Sequence, residues 1–144
     1  MALVLDKTIN ASPQRVFSVL SDLGQAREWM PEIERIDNVS PGPFGAGTSW
    51  RETRHAGKRE FVSTLRITAF EPPKVLAFVL EGKGMTGQMQ FTLAPAAAGT
   101  QVHYQAEMKG HGLMSLMTGT INRMMAKLDT DLLDRLQAHL ERRA

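Results

Sequence analysis

The feature that most constrains the fold is a run of six strand-like segments between residues 33 and 110, separated by short turn signals. In order they are IERIDNVS, GTSWRETRHA, KREFVSTLRITAFE, KVLAFVLEG, TGQMQFTLAP and TQVHYQAEMKG. Gly, Pro or charged residues bound each one, as in EPP at 71–73 and APAAAG at 94–99. This spacing predicts consecutive antiparallel hairpins. With an N-terminal strand in ALVLDKTINA, it predicts about seven strands in one strongly curved sheet.

Two short helices are predicted between the first strand and the second. Ser12 is a favourable N-cap, and Pro13 occupies the first helical position, where its missing N–H costs nothing. The apolar stripe of this helix consists of Val16, Phe17 and Leu20. The second helix, in LGQAREWM, ends before Pro31 because the residue preceding a proline avoids the helical region.

A single long amphipathic helix is predicted at the C-terminal end of the chain, over about residues 112–142. Its apolar positions recur three and four apart: Leu113, Met117, Ile121, Met124, Met125, Leu128, Leu132, Leu136 and Leu140. Arg123, Lys127, Asp134 and Gln137 fall on the opposite side. The predicted class is therefore α+β, with residues 1–144 forming one domain.

Composition excludes several classes of function. The chain contains no cysteine, so it has no disulfide, thiol nucleophile or cysteine-bound metal. Its net charge is +2, with Lys and Arg interspersed among acids, which disfavours a nucleic-acid partner. It lacks the run of about 18 apolar residues that a membrane span needs, so stable membrane insertion is not expected. Asp6 and Lys7 interrupt the first residues too early for a signal peptide, which predicts a cytoplasmic location.

The order of these segments resembles the START/Bet v 1-like (SRPBCC) helix-grip superfamily, and most closely its polyketide cyclase/dehydrase and lipid-transport group. The matching stretches are INASPQRVFSVLSD, REWMPEI, GTSWRE, ITAFEPPKVLAF and AGTQVHYQAEM. The resemblance implies a curved antiparallel sheet that grips the long C-terminal helix, with an apolar cavity between them. That family includes lipid and hormone carriers as well as aromatase/cyclases.

Methionine is concentrated in the first half of the predicted C-terminal helix, at Met114, Met117, Met124 and Met125. Because methionine is flexible and polarizable, it suits a wall that adapts to varied ligands. One interpretation is a ligand-facing first half followed by a core-facing, leucine-rich second half. The alternative is that methionine fills gaps in an ordinary core.

Strand alternation identifies further inward-facing candidates. Trp50 marks the inner face of its strand, and period-two alternation carries Glu52 and Arg54 to the same side. These two charges either orient a polar ligand head or pair with each other at the rim of the sheet. Tyr104, the single tyrosine, either hydrogen-bonds a ligand or is a core residue bonded to backbone. Trp29 is either a lid or a structural anchor.

The leading hypothesis is binding of a hydrophobic or amphipathic small molecule, of lipid, polyketide or aromatic type, without a cofactor. The predicted ligand-binding residues are Trp50, Arg54, Met89, Phe91, Tyr104, Met108, Met117, Ile121 and Met124. Glu52, Tyr104 and His111 are weak catalytic candidates for an alternative cyclase/dehydratase activity. A third hypothesis is an interaction module that uses the Met-rich end of the helix. The four histidines lack metal-site spacing, so no metal is predicted. The oligomeric state is left open.

Overall fold

Seven antiparallel strands form one sheet in the computed structural model, which describes residues 3–143 except for the side chain of Ala56. The strands are β1 (Leu3–Ile9), β2 (Ile33–Asp37), β3 (Ser49–Ala56), β4 (Arg59–Glu71), β5 (Val75–Gly82), β6 (Met85–Ala96) and β7 (Gly99–Gly110). Their order across the sheet is β1-β7-β6-β5-β4-β3-β2. The predicted strand number and the meander of hairpins are confirmed, and the first strand closes the order by pairing with the last.

The register of the hairpins aligns inward-facing side chains in rows across the sheet. One row runs through Trp50, Leu65, Leu80, Gly87 and Met108. The next row runs through Ile67, Phe78, Met89, Ala106 and Leu3. Because strand side chains alternate between faces, the residues between these rows, such as Arg66 and Gln88, lie exposed on the outer face.

Two helices connect β1 to β2, and the first begins as predicted. In α1 (Pro13–Leu20) the hydroxyl of Ser12 accepts a hydrogen bond from the backbone N–H of Arg15, and Pro13 occupies the first turn. Val16 and Phe17 of α1 are buried against the sheet. The second helix, α2 (Ala26–Trp29), is a single turn that buries Trp29.

The predicted C-terminal helix is present, but it is bent and divided into segments rather than continuous. A 3₁₀ segment (Gly112–Met117) leads into α3 (Thr118–Asp129), and α4 (Leu132–Arg142) follows after a break. Asp129, Thr130 and Asp131 have low helix propensity. Arg135 draws the carboxylates of Asp129 and Asp131 towards one guanidinium, at 3.6 and 3.3 Å. Both features favour a bend at this point.

The two parts of this region are buried to different extents. Leu132, Leu133, Leu136 and Leu140 of α4 are buried in the core, as the apolar periodicity predicts. The 3₁₀ segment and α3 have no fully buried residue, although both contact β7. In the first half, Met125 and Ala126 pack against the core, whereas Leu113, Met124 and Leu128 are exposed. The ligand-facing role interpreted for this half stays a prediction.

Candidate functional site

A line of aromatic rings crosses the inner face of the sheet. Phe44 stacks on Trp50 at a centroid distance of 6.3 Å, and Trp50 lies 6.4 Å from Phe78. Phe78 in turn lies 6.4 Å from Phe91, and Phe91 lies 4.6 Å from Tyr104. These five residues are called the aromatic wall. They come from β3, β5, β6, β7 and the loop before β3, and together they form a continuous row within the core, where Trp50, Phe91 and Tyr104 are at most 6% exposed.

Met108 covers part of the same face at Gly87, an inner position without a side chain. A Cβ atom at Gly87 would clash with the sulfur of Met108, since the Met108 side chain lies across this glycine. Met89 also approaches the same point through its sulfur, at 3.5 Å. A larger residue at position 87 would displace the methionines, so glycine here determines how they cover the sheet.

A partly buried ionic cluster adjoins the aromatic wall. Arg54 donates from Nε to Glu52 Oε2 at 2.7 Å and from Nη1 to Glu32 Oε1 at 3.1 Å. Arg135 donates from Nη1 to the second oxygen of Glu32 at 2.8 Å, and its Nη2 lies 3.6 Å from Asp129. Glu52 is only 3% exposed. With Asp131, whose carboxylate lies 3.3 Å from Arg135 Nε, the cluster contains four carboxylates and two guanidinium groups, so it is negative on balance.

Burial is the main influence on the titration of Asp129. Burial raises the pKa of its carboxyl above the usual range, and the charge of Glu32 acts in the same direction, while Arg54 and Arg135 partly oppose both. Burial alone would lower the pKa of Arg54, but the neighbouring carboxylates, chiefly Glu52, more than offset this effect. The pKa of Arg54 is therefore raised, and its guanidinium stays charged.

Tyr104 lies at the junction of the wall and the cluster. Burial, followed by the charge of Asp129, raises the pKa of its hydroxyl well above the ordinary value. The hydroxyl therefore stays protonated near neutral pH and is able to donate a hydrogen bond. A group with so high a pKa is poorly matched to proton abstraction.

Several buried donors in this region lack a well-directed acceptor within residues 3–143. They are Nε1 of Trp29, Nε1 of Trp50, and Nε and Nη2 of Arg135. The two Arg135 nitrogens lie at ion-pair distance from Asp131 and Asp129, so their charge is compensated even though the hydrogen-bond geometry is poor. The indole N–H of Trp50 has no such compensation, and buried indole N–H groups usually find a partner.

The structure brings together most of the residues predicted for ligand binding. Those on the inner face of the sheet are Trp50, Arg54, Met89, Phe91, Tyr104 and Met108. Glu52, one of the catalytic candidates, lies among them. Their role in binding stays a prediction.

The other predicted residues lie apart from this group. Met117 and Met124 are 43% and 42% exposed, and Ile121 is half-buried. His111 is exposed, with its Nε2 2.8 Å from the hydroxyl of Thr86, a residue of the outer face. His111 is therefore not brought to Glu52 and Tyr104.

Sequence reasoning missed Glu32, Asp129 and Arg135, which complete the ionic cluster. They come from the loop before β2, the end of α3 and the first turn of α4. No spacing in the sequence links them to Arg54, because their proximity depends on the bend between α3 and α4. In the sequence, the charged or polar residues at this point indicate only a break in the helix: Asp129, Thr130, Asp131 and Asp134.

Two hollows in the surface lie away from the predicted location between the sheet and the C-terminal helix. One of about 440 Å³ lies between α1 and the β4–β5 turn. It is lined by Gln14, Phe17, Ser18, Ser21, Phe70, Pro72 and Pro73. The ring of Phe70 packs edge-on against Phe44 of the aromatic wall, with 5.9 Å between the ring centroids. This hollow therefore adjoins the wall. The other, of about 170 Å³, lies beside Ile9 and Leu140.

Three side chains on neighbouring strands approach one another as metal ligands would. Glu34, His55 and Glu60 bring their ligand atoms within 4.8 Å of one another, and His55 Nε2 lies 3.0 Å from Glu34 Oε2. Spacing along the sequence did not reveal this group, because β2, β3 and β4 each contribute one residue. All three are exposed, and exposed groups of this kind are common as simple ion pairs, so we assign no metal to them.

Comparison with known proteins agrees with this architecture. Residues 2–141 match the family model described as polyketide cyclase / dehydrase and lipid transport. An uncharacterized protein of Mycobacterium tuberculosis is 29% identical over 111 residues, which cover 76% of this chain and 77% of that protein.

Solved structures share the fold at low sequence identity. The crystal structure of TTHA0849 from Thermus thermophilus has a TM-score of 0.80 at 17% identity and covers 99% of this chain and 98% of that one. Ara h 8.0201 has a TM-score of 0.73 at 13% identity and covers 95% of both chains. The helix-grip prediction is confirmed. No helix within residues 3–143 is long and apolar enough to cross a membrane.

Proposed function

Because the chain belongs to the polyketide cyclase/dehydrase and lipid transport family, whose fold is a ligand-binding one, we propose that it binds an oxygenated apolar small molecule against the aromatic wall. The observation that carries this proposal is the buried indole N–H of Trp50, which lacks an acceptor in the described chain. It lies on the inner face of β3, two residues from Glu52. A ligand carbonyl or hydroxyl oxygen would satisfy this donor.

The apolar part of the ligand would supply most of the binding free energy. Contact with the aromatic wall removes apolar surface from water, which contributes roughly 25 cal/mol per Å². Met125 of α3, which is half-buried against the core, suits ligands of different outline because methionine is flexible. These features support polycyclic, polyketide-like or lipid ligands alike.

The ionic cluster discriminates among ligand head groups. All three donor nitrogens of Arg54 are engaged, by Glu52, by Glu32 and, at 3.7 Å, by the sulfur of Met30. An anionic head group would also be repelled by the excess negative charge of the ionic cluster. We therefore expect neutral keto or hydroxyl compounds to bind more tightly than free fatty acids, since burying an unpaired charge is costly.

Cyclase/dehydratase catalysis is a second candidate, favoured by one observation. The raised pKa of Asp129 makes its carboxyl better suited to proton transfer than an ordinary aspartate. Against it, the Tyr104 hydroxyl stays protonated, and the Asp129 carboxylate is drawn to Arg135. Dehydration of a β-hydroxyacyl thioester by the wild-type protein, lost in Asp129→Asn with ligand binding retained, would favour catalysis over carriage.

Titration with the neutral naphthyl ketone prodan tests the binding proposal. Trp50→Phe keeps the ring and removes the N–H, so we expect affinity to fall about 3- to 10-fold, the value of one hydrogen bond. Trp29→Phe is the matched control, because its indole N–H is equally buried and unpartnered but lies on α2. No binding by the wild type, or equal losses in both variants, would contradict the proposal.

A further inference from the structure

Two leucines of the 3₁₀ segment are almost fully exposed. Leu113 is 92% and Leu116 is 89% exposed, although both are large and apolar. Met114 and Met117 in the same segment are also exposed, at 37% and 43%. Isolated exposed hydrophobic residues are common, but contiguous patches mark a surface that meets something apolar.

The apolar surface continues along α3. Met117, Ile121, Met124 and Leu128 follow one another at intervals of four, three and four residues, which places them on one face of a helix. Met124 and Leu128 on this face are 42% and 53% exposed. We call the surface formed by Leu113, Leu116, Met117, Met124 and Leu128 the apolar strip.

Cationic side chains border the apolar strip. Between Met108 and Leu128 the sequence contains no aspartate or glutamate. The exposed cations of this region are Lys109, Arg123 and Lys127. Arg123 and Lys127 each precede a strip residue by one position and therefore form a parallel row on the helix.

The β5–β6 turn adds a further cation beside the 3₁₀ segment. Lys83 is exposed in this turn, and the carbonyl of the adjacent Gly84 accepts a hydrogen bond of 2.9 Å from the N–H of His111. Two acids lie on nearby strands: Glu81 shares a row with Thr86 and Lys109, and Glu107 lies two residues before Lys109. The four cations outnumber these two acids, so the region is positive on balance.

From this combination we propose that the apolar strip docks on an anionic lipid bilayer surface. A bilayer offers both complements at once, acyl chains for the exposed leucines and anionic head groups for the flanking cations. The docking is peripheral, because no helix of the described chain can span a membrane. This activity goes beyond the proposed ligand binding and does not depend on it.

A second copy of the chain is a poorer occupant for the same surface. A two-fold symmetric interface would bring the apolar strip against itself. Lys83, Lys109, Arg123 and Lys127 would then face their own equivalents, and like charges across an interface disfavour association. Lipid phosphates remove this repulsion, which is why the observations favour a bilayer.

Vesicle flotation tests the proposal without any ligand. We expect the wild type to float with vesicles containing about 30% phosphatidylglycerol and not with pure phosphatidylcholine. Raising salt from about 0.1 to 1 M shortens the Debye length from about 10 to 3 Å and should weaken the binding. Leu113→Ser/Leu116→Ser should reduce binding about tenfold or more, and Arg123→Gln/Lys127→Gln about 10- to 30-fold.

Val39→Ser/Val62→Ser is the matched control, since these valines are 50% and 48% exposed but lie outside the strip. It should bind vesicles like the wild type. Prodan binding by Leu113→Ser/Leu116→Ser should be unchanged, which separates docking from ligand carriage. No vesicle binding, or equal binding to neutral vesicles, would overturn the proposal. So would a wild-type dimer in sedimentation that this leucine variant converts to monomer, which would assign the strip to a second copy.

Discussion

The side-chain amide of Asn122 replaces a neighbouring strand at Met108. Asn122 Oδ1 accepts a hydrogen bond from the backbone N–H of Met108, and its Nδ2 donates one to the Met108 carbonyl, both at 2.8 Å. Among the described residues, the pairing of β1 with β7 reaches Leu3 opposite Ala106, two residues before Met108. The Asn122 side chain thus supplies the two backbone hydrogen bonds that a neighbouring strand would otherwise make with Met108, and it holds α3 against β7.

Replacement of Asn122 by alanine should therefore loosen α3. The N–H and carbonyl of Met108 would lose both partners, and an unsatisfied backbone group costs about 1–3 kcal/mol. Because these bonds are only partly buried, water would replace part of them, and we expect a loss of about 1–2 kcal/mol in urea unfolding. Hydrogen exchange should show the Met108 amide exposed first. Thr120→Ala, on the same helix at an exposed position, should leave both measurements unchanged.

Truncations along the C-terminal region should separate its two halves. Leu136 has no exposed surface, so Leu136→Ala should cost about 2–5 kcal/mol through the cavity it leaves. Met124→Ala should cost less than about 1 kcal/mol, because a half-exposed side chain makes fewer contacts. Denaturant unfolding of both variants decides the matter. Equal losses would mean that α3 is packed as tightly as α4.

The strand pattern of the sequence was sufficient to predict the sheet. Turn residues such as Pro72 and Gly99 stand where hairpins end, and alternation correctly placed Trp50, Glu52 and Tyr104 on one face. These features are local, so they can be recognised without knowing which strands meet.

The bend after Asp129 and its consequences could not be predicted in the same way. Apolar periodicity runs without interruption from Leu113 to Leu140, and it gives no sign that apolar side chains such as Leu113 and Leu128 are left exposed. Burial of these side chains depends on the space between α3 and the sheet. For the same reason the pairing of Arg135 with Glu32 was not foreseen, since it joins residues 103 positions apart, and neither was the approach of Asp129 to the same guanidinium.

Removal of Arg54 should destabilise the fold through the partner it leaves behind. Glu52 is buried, and its Oε2 accepts the Nε–H of Arg54. Arg54→Met would leave that carboxylate without its cation, at a cost of about 3–5 kcal/mol. The double variant Glu52→Leu/Arg54→Met should recover most of this loss, because it removes both charges together. Thermal unfolding of the two variants, measured with the wild type, tests the coupling; additive losses would contradict it.

Asp129 should make the stability of the protein fall as pH rises above the acid range. Its pKa is raised in the folded state by burial, so the folded protein holds this proton more tightly than the unfolded chain does. The favourable contribution is complete below the unfolded pKa, about 3.9, and is lost as pH rises through the higher folded pKa. Asp129→Asn cannot ionise, and it removes one carboxylate from an ionic cluster in which carboxylates outnumber guanidinium groups.

We therefore expect Asp129→Asn to be more stable than the wild type near neutral pH, with an advantage that shrinks as pH is lowered towards 4. Urea unfolding at a series of pH values measures this difference. Asp134→Asn is the control: this carboxylate is largely exposed and pairs with Lys7 at 2.8 Å, and an exposed pair contributes about 0–1 kcal/mol. An Asp129→Asn variant that is less stable than the wild type, with a deficit that grows with pH, would mean that Arg54 and Arg135 stabilise the ionised carboxylate by more than burial penalises it.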